Sequence, residues 1–94
     1  MVYIDKVHYS TDAHGCEVIS KMKYTEILSQ DATTECTKQA MIEYINKGNS
    51  VKTKYKNSWG NWQSGEDVRV VDNAYLRTDA NNTKKDNLGN LPRY

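Results

Sequence analysis

Basic and aromatic side chains form the set in this sequence best suited to recognition chemistry. Lys21 and Lys23 stand two positions apart, Lys52, Lys54 and Lys56 repeat that spacing, and Arg69 follows in a later apolar stretch. A period of two is the period of one strand face. Strands of this kind laid side by side would present a positive surface, at whose rim Trp59 and Trp62 could stack bases. The structural alternative is equally simple. Sheets commonly expose one polar face, edge strands carry Lys to discourage aggregation, and the two Trp would then close one end of the core.

The soft and borderline metal ligands are His8, His14, Cys16 and Cys36. Zinc accepts such a set in a tetrahedron, but no Cys-x-x-Cys or His-x-x-x-His spacing is present. The two cysteines are therefore expected as small hydrophobes. A thiol nucleophile with a histidine base would need an orienting third group and an oxyanion site, and no motif signals either. The segment Asp79 to Asp86 resembles a calcium loop superficially. It has Lys84 where the sharp-turn Gly belongs and Asn90 where the closing acid belongs. No phosphate-binding Gly-rich loop or nucleophile elbow occurs. No catalytic residue, metal or cofactor is expected, and the chain does not read as an enzyme.

These residues must be positioned by a chain of 94 residues, which suffices for one domain but not for two cores. Its formal net charge is +1, so any electrostatic partner must be recognised by a local patch rather than by the field of the whole molecule. The start MVYIDKVHYS lacks a basic segment followed by a long apolar run, and no stretch approaches membrane-spanning length. The expected location is the cytoplasm, where Cys16 and Cys36 stay reduced and a disulfide between them is disfavoured.

Val2 to Tyr9 is rich in β-branched and aromatic residues and reads as a strand. Cys16 to Tyr24 alternates, placing Cys16, Val18, Ser20, Met22 and Tyr24 on one face and Glu17, Ile19, Lys21 and Lys23 on the other. A helix follows, capped by Thr33 or Thr34, with Glu35 in its first turn, Lys47 in its last and Gly48 at the left-handed terminating position. Its apolar positions from Ala40 to Ile45 sweep about 200°, wider than one sheet requires, so a second cover is expected. Val51 to Tyr55 alternates again, and Asn57 to Glu66 reads as a loop or wide hairpin tip. Val68 to Val71 and Ala74 to Arg77 are short strands, and Pro92 is expected to end regular pairing. This order predicts an α+β fold: a small antiparallel or mixed sheet in ββαββ order, one main helix on one face, and an extended C-terminal tail across a single domain, 1–94.

The C-terminal third carries a more specific signal. Tyr75-Leu76-Arg77-Thr78 and Asp86-Asn87-Leu88-Gly89-Asn90-Leu91-Pro92 resemble the YLRT…DNLxNLP ending of DUF3892, a small bacterial and phage family of unknown function. The resemblance implies a bacterial or phage origin and supports the element order, but it supplies no activity. In this layout Leu88 and Leu91 are expected to fold back over the helix, with Asn87 and Asn90 bonding exposed backbone.

Together these features predict a non-enzymatic interaction or accessory module, monomeric or weakly dimeric and without membrane association. A protein partner is favoured, with an apolar patch around Tyr55, Trp59 and Trp62. The alternative is nucleic acid on the Lys face.

Overall fold

Alternating β-branched, aromatic and polar residues produce two long strands, β1 (Val2–Thr11) and β2 (Glu17–Thr25). Gly15, at φ +79°, and the Asp12 carboxylate, which accepts from the N–H groups of His14 and Cys16 at 2.9 Å, close the turn between them. The computed structural model describes residues 1–78, 86–89 and 91–94.

Two register shifts decide which side chains reach the core. Ile4 pairs with Tyr24 but Lys6 with Lys23, so Asp5 has no opposite residue. His8 pairs with Lys21 but Tyr9 with Ile19, so Ser20 has none. Each extra residue flips the alternation beyond it. Ile4 and Val7, and likewise Ile19 and Met22, therefore share the buried face although they lie three apart. The strict alternation read from sequence put Ile19 on the face opposite Met22; the unpaired Ser20 corrects it.

The element order also differs from the expected ββαββ. A third strand, β3 (Thr34–Thr37), pairs antiparallel with β2 before the helix begins. Thr34 is thus a strand residue. The helix α1 (Lys38–Asn46) is capped by Thr37, whose hydroxyl accepts from the Ala40 N–H at 3.1 Å. Gly48, at φ +96°, follows the C-cap Lys47, as the sequence predicts.

After the helix come β4 (Val51–Lys56), which pairs parallel with β1, and β5 (Trp62–Asp67), antiparallel to β4. The sheet order is β3-β2-β1-β4-β5, mixed as expected. The strands β6 (Arg69–Val71) and β7 (Tyr75–Arg77) form a separate two-stranded sheet whose turn places Asp72 and Asn73 at positive φ. This hairpin and the main sheet both touch α1, so the hairpin is the second cover that the wide apolar arc required. Asn46, at the end of α1, ties the helix to the hairpin by donating to the Asn73 side-chain Oδ1 at 2.6 Å.

One cluster of buried side chains joins these layers: Val2, Ile4, Val7, Ile19, Met22, Met41, Ile42, Val51, Val68, Leu76 and Leu88. Leu88 is 3% exposed, and Leu91 packs against the cluster from its margin. Burial of such a side chain contributes on the order of 1.5–3 kcal/mol.

The C-terminal residues then leave the helix side along the edge of β1. β4 pairs β1 only as far as Ile4, and beyond it the Val7 N–H donates to the Pro92 carbonyl at 2.9 Å. The Tyr94 N–H returns to the Val7 carbonyl at 3.0 Å. Pro92 lies in no regular strand, in line with the sequence reading, yet an isolated bridge between Val7 and Arg93 forms beside it, because the missing N–H is irrelevant where only its carbonyl is needed. Asn87 pairs through its backbone with Leu76 and Thr78, while its side chain accepts from the Gly89 N–H at 3.1 Å. Asn90 and the calcium-like stretch from Asp79 to Lys85 lie outside the described residues.

Candidate functional site

Register places all the strand lysines on the face of the sheet opposite α1. Lys6 stands across from Lys23 and Tyr3 across from Lys52, while their neighbours Ile4 and Thr53 point to the core. The sequence reading of a shared Lys face holds to that extent. Arg69 does not belong to it, because β6 lies in the separate hairpin sheet.

The face is not a free cationic surface. Lys21 pairs with Glu35 at 3.6 Å, Lys52 with Asp67 at 3.6 Å and Lys56 with Asp31 at 3.7 Å. Lys23 lies 5.2 Å from the centre of the Tyr94 ring. Tyr94 crosses this face from the edge of β1: its hydroxyl donates to Glu35 at 3.0 Å, and its main-chain oxygen meets His8 Nδ1. The tyrosine hydroxyl and Lys21 hold the Glu35 carboxyl below the usual carboxylate range. Burial, followed by Glu35, raises the Tyr94 phenol.

Lys54 corrects the sequence reading most sharply. Placed there on the binding face, it has no exposed side-chain surface. The connection between β2 and β3 covers it. Its ammonium donates to the carbonyls of Leu28 at 3.1 Å and Ile27 at 3.5 Å, and also to that of Gln30. Asp5 Oδ2 lies 4.0 Å away and accepts from the Ala32 N–H at 2.8 Å, while Asp5 Oδ1 has no hydrogen-bond partner. The Trp62 ring closes the cage, 3.9 Å from the Lys54 ammonium and 5.0 Å from that of Lys56. Desolvation lowers the Lys54 pKa, opposed by Asp5 and Asp31.

The cage fixes the ground on which the exposed apolar residues stand. Asn57 caps the β4–β5 turn, its side-chain oxygen accepting from the N–H groups of Trp59 and Asn61 at 3.0 Å, and Gly60 takes φ +78°. This turn lifts Trp59 into solvent at 86% exposure. Ile27, at 48%, is also open, whereas Tyr55, at 52%, alternates with Lys54 along β4 and lies on the other face of the sheet with Leu88 and Leu91, apart from the patch expected with Trp59 and Trp62. Between loop and hairpin runs a cleft of about 410 Å³, lined by Leu28, Ser29, Gly60, Asn61 and Trp62. Trp62 itself is half-buried, so the Trp pair splits: one ring structural, the other free.

A second centre was missed from sequence. Asp86 bridges three elements with a side chain only 2% exposed. Its Oδ2 accepts from the Ile19 N–H and from Lys38 Nζ, both at 3.0 Å, and its Oδ1 from the Leu76 N–H at 2.9 Å. The three donors come from β2, α1 and β7. An acid within the apolar strand β1 was the signal available for Asp5; Asp86 gave none beyond its place in the C-terminal motif.

The soft ligands do not gather. Among the described residues no three His, Cys, Asp or Glu side chains converge to hold a metal ion. Cys16 is exposed and Cys36 half-buried, both with free thiols. Nor do the described residues include a helix long and apolar enough to cross a membrane.

The family model of DUF3892, a protein of unknown function, matches residues 3–92. The chain belongs to the DUF3892 family. The match runs from the first strand through the C-terminal segment, so the Lys54 cage and the Asp86 bridge both lie within the DUF3892 unit. No curated protein and no solved structure matches the chain.

Proposed function

We infer that this DUF3892 chain is a non-enzymatic protein-interaction module of a bacterium or phage. Its contact surface is the Trp59 turn together with Ile27, Leu28 and Ser29 of the adjoining connection. The observation that carries the reading is Trp59, 86% exposed on a turn held by Asn57 and backed by a fully buried lysine cage. An exposed Trp on a rigid support loses little conformational entropy on binding and offers a large apolar area with a polar N–H, the properties of an interface anchor. The nucleic-acid alternative has less support, because the strand lysines already face carboxylates or aromatic rings.

A photoreactive side chain at position 59, with a control at the exposed helix position Glu43, tests the assignment in nuclease-treated extract of the source cells. Discrete protein adducts specific to position 59 are expected. Adducts only to oligonucleotides in untreated extract, or the same adducts from both positions, would overturn it.

A further inference from the structure

A second cleft, of about 200 Å³, opens between α1 and the sheet, away from the lysine face. Val2, Tyr24, Glu26, Cys36, Ala40, Met41 and Tyr44 line it. Three features define what it can hold. Its walls are apolar, with Val2 and Met41 both 3% exposed. Tyr24 and Tyr44 line it, and tyrosine rings attract cations. Among the described residues Glu26 is the sole charged one lining it, and burial keeps the Cys36 thiol neutral with a pKa pushed up to about 11.

The carboxylates of Asp5, Glu17, Asp31, Glu35, Asp67 and Asp86 each have a cationic partner within 4.0 Å. Glu26 has none among the described residues. Asp12, Glu43 and Glu66 likewise lack a cationic partner among the described residues, but Glu26 is the one that lines this cleft, and an unpaired carboxylate at the mouth of a tyrosine-lined cleft is charge-complementary to a cation from outside.

We propose that this cleft binds a short alkylammonium group. The alkyl chain lies on Val2, Ala40 and Met41, the cationic head between the tyrosine rings and the Glu26 carboxylate. The volume is below that of pockets for drug-sized ligands and suits a chain of lysine side-chain length. The site stands independently of the Trp59 surface, and either can fail without the other.

Amide chemical-shift titrations of the full chain with n-butylammonium, n-pentanol and valerate test the chemistry. Butylammonium shifts Tyr24, Cys36, Met41 and Tyr44 and binds at least about tenfold more tightly than pentanol or valerate. Glu26→Gln, at an exposed position where folding is unaffected, removes that preference. Nα-acetyl-lysine methylamide then separates the sources. Tighter binding than butylammonium identifies a lysine side chain of a partner, and weaker binding a free amine. Equal binding of pentanol or valerate, an unchanged preference in Glu26→Gln, or no shift at these residues would overturn the proposal.

Discussion

The Lys54 ammonium sits 3.9 Å above the centre of the Trp62 ring, between that ring and a row of main-chain carbonyls from residues 27, 28 and 30. A charge this deep is retained only because its surroundings replace water on every side: carbonyl oxygens, an aromatic face and the Asp5 carboxylate. It joins the β2–β3 connection to β4 and so supports the exposed residues beside it.

Lys54→Met will destabilise the protein strongly, by about 3–5 kcal/mol, because it leaves the buried Asp5 carboxylate with Lys6 alone, 3.6 Å from Oδ1, and removes the ammonium donor from the carbonyls of Ile27, Leu28 and Gln30. The double variant Lys54→Met with Asp5→Asn will recover part of the loss, since the uncompensated charge is gone. Urea unfolding of the two variants checks both values. A loss below about 1 kcal/mol in the single variant would place the cage outside the folding core.

Asp86→Ala removes an acceptor shared by Ile19, Lys38 and Leu76, and a cost of about 2–4 kcal/mol is expected from three stranded donors in a site 2% exposed. Truncation before Asp86 will cost more, because Leu88 and the Val7 backbone pairing are lost as well. An unchanged melting temperature in the truncated chain would show that this segment does not clamp the fold.

Alkaline pH will destabilise the protein through Cys36. Its folded-state pKa of about 11 stands above the ordinary 9.0, raised by burial and then by Glu35. A thiol of raised pKa favours folding while it is protonated in both states, so its contribution is complete below pH 9.0 and declines up to about 11. The Tyr94 phenol, raised in the same direction, extends the decline. Melting temperatures across this window will fall, and less so in Cys36→Ala measured against its own neutral value. Identical slopes in the two would exclude the thiol.

Gly65→Ala will cost about 1–3 kcal/mol, because a Cβ there would meet Thr53 Oγ1 at 2.4 Å and that hydroxyl already accepts from the Glu66 N–H. A fully stable variant would show that β5 shifts freely against β4.

Much of this architecture was legible from local chemistry. Val2 to Tyr9 and Val51 to Tyr55 announced strands, and Gly48 marked the end of the helix. The helix start was not legible, because Thr33, Thr34 and Thr37 are all competent caps and only pairing with β2 makes Thr34 to Thr37 a strand. The faces failed where the period of two was broken. Nothing local marks Asp5 or Ser20 as lacking an opposite residue, since that depends on two strands at once. Lys54 was assigned to the correct face, yet its burial follows from a connection that crosses that face, a non-local fact. Of the aromatic pair, Trp59 is exposed and Trp62 turns inward to the cations, so neither alternative read from sequence, both exposed or both closing the core, describes the pair.

The central claim is that Trp59 anchors a protein partner, and the most direct test is the affinity of the purified protein recovered by crosslinking at position 59, compared between the native chain and Trp59→Ala. A loss of about 2 kcal/mol or more, roughly thirtyfold, is predicted, with the melting temperature unchanged because the side chain is 86% exposed. Equal affinity for the two chains would contradict it.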